Sequence, residues 1–252
     1  MRFFVELAYK GTNYHGWQIQ PNAPTVQETL EKAFSTKLQE KIAITGAGRT
    51  DTGVHAHFYT AHFDTSKNID EKTIFGLNRL LPNDIAIFNI YRVNNDAHAR
   101  FDAISRTYKY FFYHRKNPFF YETALQINKD LNIDLLNEAS QILKEYTDFT
   151  SFSKLHTDTK TNNCKIFDAN WTQENELTVF TIKADRFLRN MVRAITGTLL
   201  QLNDNKISIN DFRRIIEAKN RSKAGKSAPA KALSLVNIEY DKTKILLSSD
   251  LN

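Results

Sequence analysis

The stretch GAGRTDTGVHA, Gly46–Ala56, decides how the surrounding chain is read. It packs three glycines, an arginine and an aspartate into eleven residues. A short alternating run, KIAIT (Lys41–Thr45), leads in, and a longer one, VHAHFYTAHF (Val54–Phe63), leads out. Apolar and polar residues taking turns along the chain are the mark of half-buried strands. The stretch is therefore a connection inside a sheet. GAGRTD resembles the opening of a dinucleotide fingerprint, but Asp51 stands where the third glycine is needed, and strand rather than helix follows, so that reading is excluded. Two readings remain on these residues alone. One is a tight connection with solvated polar side chains. The other is a turn whose glycines let backbone approach a ligand closely. Asp51 would then point in a fixed direction, with Arg49 near enough to favour its ionised form. That arrangement suits a carboxylate acting as nucleophile or base.

Outward from the turn, residues 2–9 alternate as a first strand, and GTNYHGWQIQPNAP (Gly11–Pro24) is a long loop. Thr25 and Glu28 have capping-box spacing, and Val26, Leu30, Ala33, Phe34 and Leu38 form one helical stripe. Asp70 caps a helix carrying Ile74, Leu77 and Leu81, which Pro82 stops. Ile85–Val93 is a strand. A second series starts near Ser105. SRTYKYFFYH puts Tyr108, Tyr110 and Phe112 on one side of a strand and Thr107, Lys109 and Phe111 on the other. Asn132 caps a helix, strands follow near 165–171 and 177–184, and helices are predicted over about 187–202 and 209–218. A last strand is predicted at 233–240. The two series predict an α+β fold, its halves being residues 1–103, with the aspartate turn, and 104–252.

The 252 residues, 41% of them apolar, are enough for a real core. No apolar run approaches the length of a membrane span, and MRFFVELAYKG reads as a strand rather than a signal peptide. A single cysteine, Cys164, excludes an internal disulfide and fits the reducing cytoplasm. The net charge of +6 favours a polyanionic partner. AGKS (Ala224–Ser227) resembles the end of a P-loop, but it follows a helix, and Pro229 breaks the helix that should come after. His55 and His57 share a strand face while His62 points away, with no cysteine nearby, so no metal site is expected. In DRFLRNMVRAITG, Arg186, Arg189 and Arg193 fall on one helical stripe, either a solvated basic face or one that meets phosphates or Asp51. Lys219, Arg221, Lys223, Lys226 and Lys231 lie in a mobile stretch, either an exposed loop or a salt-sensitive contact to a nucleic-acid backbone.

GAGRTDTGVHA resembles the signature of the tRNA pseudouridine synthase A family. So do ELAYKGTNYHGWQIQPNAPTVQETLEKA (6–33), LNRLLPNDIAI (77–87), AHARFDAISRTYKY (97–110), DFTSFSK (148–154), FLRNMVRAITGTLL (187–200) and SAPAKALSLVNIEY (227–240), in the family's order. The resemblance implies the pseudouridine synthase fold, two ferredoxin-like α+β halves with a largely antiparallel sheet and a central catalytic cleft. It implies an enzyme that isomerises uridine to pseudouridine at positions 38–40 of the tRNA anticodon stem-loop, a homodimer, and no cofactor. It makes Asp51 the catalytic aspartate, Tyr108 the residue packing on the target base, and Arg193 the partner that keeps Asp51 ionised. Leu233 becomes the apolar pocket wall, and Arg49 lies beside the nucleotide as it is extruded. The chain departs from the family pattern at His57-Phe58-Tyr59, Ala194, Ala232 and Ser234, none of them a catalytic position. The competing readings are a non-catalytic tRNA-binding module and a nucleoside glycosidase. A carboxylate in an RNA-facing turn repels phosphate and argues against the first, and the lack of a second carboxyl group in the turn argues against the other.

Overall fold

A computed structural model describes residues 1–154 and 160–247. In chain order its strands and helices are β1 (Arg2–Tyr9), α1 (Val26–Leu38), β2 (Ile44–Gly46), β3 (His55–Asp64), α2 (Glu71–Leu80), β4 (Ile85–Val93), β5 (Ala103–Tyr113), β6 (Leu125–Gln126), α3 (Ile133–Ile142), β7 (Ile166–Glu174), β8 (Leu177–Ala184), α4 (Met191–Asn203), α5 (Ile209–Glu217), β9 (Leu233–Tyr240) and α6 (Lys242–Ile245). The architecture is α+β with a largely antiparallel open sheet, as expected. Contacts group the chain into Met1–Ile104 with Leu235–Asn252, and Ser105–Ser234. Most of the last strand, read from sequence as part of the second half, is thus grouped with the first.

The first unit carries strand order β4-β1-β3-β9, with β2 also on β3. Its helices start where side chains satisfy the orphan N–H groups of a first turn. Thr25 accepts from the Glu28 amide, and Asp70 makes a reciprocal box with Thr73. The Glu28 side chain pairs with Lys32 one turn on, at 2.7 Å. All five apolar residues read as the α1 stripe are buried. Phe34 meets Phe63 of β3 edge-on at 4.9 Å, and Phe63 stacks on Phe3 of β1 at 5.7 Å. Each such ring contributes roughly 1.5–3 kcal/mol by leaving water.

The β1–β3 ladder contains an irregularity that matters for the turn. Leu7 pairs with Tyr59 but Tyr9 pairs with Ala56, so two β3 residues, His57 and Phe58, oppose the single Ala8. A bulge of this kind reverses the facing of the residues before it. His55 is accordingly buried and His57 exposed, which corrects the expectation that the two share a face.

In the second unit β5 pairs antiparallel with β8, β8 antiparallel with β7, and β6 lies parallel on β5. Trp171 of β7 is its centre. It stacks on Phe180 at 4.8 Å and Phe112 at 5.3 Å, and its indole N–H donates to Ser140 Oγ of α3 at 3.0 Å. Helix α4 begins at Met191, four residues later than the sequence pattern predicts. Asn190 sits at φ 67°, a left-handed conformation that α-helix does not continue through. Arg186 and Arg189 are therefore off the helix, and the expected stripe of three arginines is reduced to Arg193. The Asp185 carboxylate, which accepts from the Arg186 and Lys165 amides, fixes the chain ahead of it.

Candidate active site

Asp51 is presented by a turn that other backbone holds from beneath. The loop after β1 folds into a 3₁₀ turn at Gly11–Asn13 and runs against residues 50–55. Gly53 N donates to Tyr14 O at 3.3 Å, Trp17 N to Thr50 O at 3.4 Å, and Gly11 N to the His55 Nδ1 at 2.9 Å. Inside the turn, Val54 N donates to Asp51 O at 3.1 Å. The approach is so close that a Cβ at Gly11 would lie 2.0 Å from Val54 O, and one at Gly16 would lie 2.3 Å from Thr50 O. Gly16 and Gly53 also take φ of 87° and 77°, where a side chain is strained. The glycines of the opening stretch are thus half of the device. Gly11 and Gly16, from a loop the sequence reading left without a role, are the other half.

Aromatic packing fixes the floor. Trp17 stacks on Tyr59 at 4.1 Å, Tyr9 meets Tyr59 edge-on at 5.6 Å, and Tyr9 OH shares a hydrogen bond of 2.8 Å with Thr50 Oγ1. Tyr59 OH donates to Gly48 O, tying the near end of the turn to β3. A latch secures the loop from its far side. Asp84, in the turn before β4, accepts from Tyr14 OH at 2.6 Å and from Asn13 Nδ2 at 3.0 Å, and its carbonyl accepts from Lys10 N at 2.8 Å. Tyr14 then reaches the aspartate turn through its carbonyl and Gly53. The signal for this in the sequence was two glycines bracketing Tyr14 and an acidic residue after Pro82, but pairing them needs the fold.

Asp51 is half-buried, so its side chain is accessible. Arg49 is exposed and forms no hydrogen bond or ion pair among the described residues. No hydrogen bond or ion pair therefore joins it to Asp51 among the described residues.

Three other residues named from the sequence belong to the second unit. Tyr108 of β5 stands opposite Ile182 of β8 and meets Phe187 edge-on at 5.2 Å. It is half-buried, whereas Tyr110, two positions on, is wholly buried and donates its hydroxyl to Pro229 O at 2.8 Å. Burial raises the Tyr110 pKa, and the positive charge of Arg193 opposes that rise. Of the two tyrosines, Tyr108 is the one a ligand can reach. Arg193 lies in the first turn of α4. Its Nε donates to Ala228 O at 2.8 Å, and Ala228 N donates back to Arg193 O at 2.9 Å. Leu233 is buried at the start of β9.

The basic stretch after α5, read from sequence as mobile, is tied down. Arg221 donates to Gly225 O at 3.1 Å and Ser227 Oγ at 2.9 Å, Asn190 Nδ2 to Ser227 Oγ at 2.6 Å, and Gly225 N to Thr198 Oγ1 at 2.9 Å. Gly197 of α4 permits this, since a Cβ there would lie 1.8 Å from Lys226 O. The sequence AGKS therefore caps no phosphate loop; it is a backbone strap laid across a helix. Among the described residues no three His, Cys, Asp or Glu side chains are grouped to hold a metal ion, and no helix is long and apolar enough to cross a membrane.

The tRNA pseudouridine synthase family profile matches residues 7–102 and 143–241. The chain is 57% identical over 242 residues to the tRNA pseudouridine synthase A of Bacteroides fragilis, covering 95% of this chain and 96% of that one. It is 54% identical over 241 residues to that of Parabacteroides distasonis (95% and 96%), and 40% identical over 239 residues to that of Clostridium acetobutylicum (94% and 98%). A turn built to present one carboxylate fits an isomerase of this kind, and the chain belongs to the tRNA pseudouridine synthase family.

Proposed function

We propose that this enzyme converts uridine to pseudouridine at positions 38–40 of the anticodon stem-loop of tRNA, in the cytoplasm and as a homodimer. The observation that carries the reading is the rigid presentation of Asp51 by backbone clamped through Gly11, Gly16 and Gly53. The reaction breaks the bond between ribose C1′ and uracil N1 and forms one between C1′ and C5. C5 gives up a proton and N1 gains one, so atoms balance without a redox partner, a cofactor or a nucleotide energy source. What it needs is a fixed, ionised carboxylate beside the sugar, either attacking C1′ or removing the C2′ proton, and Asp51 takes that role. The target nucleoside must leave its stack, at a cost of a few kcal/mol. Arg49, exposed beside the turn, offsets part of that cost at the phosphates. Tyr108 packs on the detached uracil and Leu233 walls it. Arg193 is the cation that the family resemblance assigns to the same reaction.

The test is incubation with unmodified tRNA and no additives, followed by chemical labelling of pseudouridine and mapping of the modified position. The wild-type chain is expected to modify positions 38–40. Asp51→Asn is expected to lose activity by more than about a thousandfold, in line with removal of a reacting group, while tRNA affinity stays within about threefold, under 1 kcal/mol. Substantial turnover by the Asn variant, or release of free uracil by the wild type, overturns the assignment.

A further inference from the structure

The segment His114–Ala124, HRKNPFFYETA, is the least expected surface of the second unit. Phe119 is 87% exposed and Tyr121 66%, although large apolar side chains usually find cover. Three basic or titratable residues, His114, Arg115 and Lys116, precede them. Arg115 and Lys116 are exposed and form no ion pair among the described residues. The segment is held in shape. Phe120 packs edge-on against Tyr113 at 5.8 Å, Phe119 N donates to Asn117 Oδ1 at 3.0 Å, and Ala124 N donates to Phe120 O at 2.9 Å. Lys231 Nζ donates to Tyr121 O at 2.7 Å and lies 4.4 Å from the centre of the Tyr121 ring. The loop is thereby joined to the basic strap ending at Leu233. It also falls between the two segments that match the family, 7–102 and 143–241.

We propose that this loop is a second tRNA contact, remote in sequence from the Asp51 turn. Phe119 and Tyr121 stack on unpaired or end-stacked bases, and Arg115, Lys116 and Lys231 meet the flanking phosphates. The proposal rests on the functional reading above for its substrate. Exposed aromatic rings next to the cations of Arg115 and Lys116 are the chemistry of a single-strand platform, because every base offers a π face and every linkage a negative charge. A second copy of the chain is the poorer occupant. A two-fold contact sets one patch against itself, and here it would bring Arg115, Lys116 and Lys231 against their own kind. The nearest acidic residue of the loop is the single Glu122.

The experiment measures binding of full-length unmodified tRNA by fluorescence anisotropy over a range of salt, with sedimentation to give the oligomeric mass. Phe119→Ala with Tyr121→Ala is expected to weaken binding by about tenfold or more, the loss of one to two stacked bases, while Phe119→Trp with Tyr121→Phe keeps it. Arg115→Ala with Lys116→Ala is expected to make the log–log salt slope shallower by up to about two. Unchanged affinity and slope in these variants overturn the loop assignment and leave the activity reading standing. A fall in oligomeric mass that tracks the loss of binding also overturns it and makes the loop an interface between copies. A wild-type chain that binds no tRNA overturns both readings together.

Discussion

The turn that carries Asp51 and the strap beside Arg193 are both irregular segments pressed onto regular ones, yet they are built differently. The turn at 50–55 is loop laid on loop. Its partners, Gly11 and Gly16, supply no side chain, and Gly16 and the turn's own Gly53 sit in left-handed backbone. The strap at 224–228 is loop laid on helix. One glycine, Gly197, makes room, and beside the single backbone bond from Ala228 N to Arg193 O the holding bonds come from side chains, Arg193, Arg221, Asn190 and Thr198. Backbone bonds fix a position to within tenths of an ångström and tolerate no added atom. Side-chain bonds can re-form after a small shift. The rigid design belongs to the unit with Asp51, and the adaptable one to the unit with Tyr108 and Arg193.

The largest expected effect tests that contrast directly. Gly16→Ala adds a methyl 2.3 Å from a carbonyl at a φ of 87°, and both faults fall on backbone. It is expected to cost roughly 3 kcal/mol or more, a fall of roughly 6–12 °C in melting midpoint for a chain of this size, with activity lost. Gly48→Ala, with nothing within 4 Å of its added Cβ, should stay within roughly 0.5 kcal/mol. Gly197→Ala should fall between the two. Its clash with Lys226 O is as severe, but alanine is the better helix former by about 0.8–1 kcal/mol, and the strap can move. A Gly197→Ala protein less stable than Gly16→Ala would reverse the comparison.

A smaller effect asks whether the latch positions the turn or merely stabilises it. Tyr14→Phe removes the bond to Asp84 and keeps the ring. The expected outcome is a fall in kcat of about tenfold, 1.4 kcal/mol of barrier, with KM for tRNA within about twofold. Measured well below the melting midpoint, an unchanged kcat would make the latch a stabilising contact only.

The smallest effect separates the units by pH. His62 of β3 is buried, its Nδ1 accepting from Ala99 N at 3.2 Å, with His98 at 4.6 Å. Burial first, and then the charge of Arg2, push its pKa from 6.5 down to about 4, against the weaker pull of Asp64 and Asp102. His98 is shifted in the same direction for the same two reasons. The unfolded chain therefore takes up a proton that the folded chain refuses. Stability is at its full value above pH 6.5 and is lost as the pH falls from there toward 4. Both histidines lie in the first unit. Hydrogen exchange at pH 5 should thus quicken in β1, β3 and β4 more than in β7 and β8, and His62→Asn, which retains an acceptor for Ala99, should narrow the gap. Equal acceleration in both units would show that acid lability resides elsewhere.

Much of this was legible before any coordinates. The α1 stripe, the Asp70 and Asn132 caps and the strand ranges depend on residues close in sequence, whose spacing matches 3.6 or 2.0 positions per turn or pleat. Asp51 stood out as a candidate because a carboxylate among glycines between two strands has few structural uses. The late start of α4 was not legible, because the arginine spacing fits a helix and only the left-handed Asn190 stops it. Nor was the facing of His55 and His57, since a bulge leaves no local signature in which residues alternate.

Residue types and their spacing alone determined the elements, the core stripes and the family, and singled out the candidate carboxylate, since each of these is a property of the chain near one point. Only the tertiary structure decided that Gly11 and Gly16 support the aspartate turn, that Asp84 latches it through Tyr14, and that the basic stretch is a strap rather than a mobile loop. Those are meetings of backbone with backbone across tens of residues, and atoms that every residue shares carry no sequence signal of where they will meet.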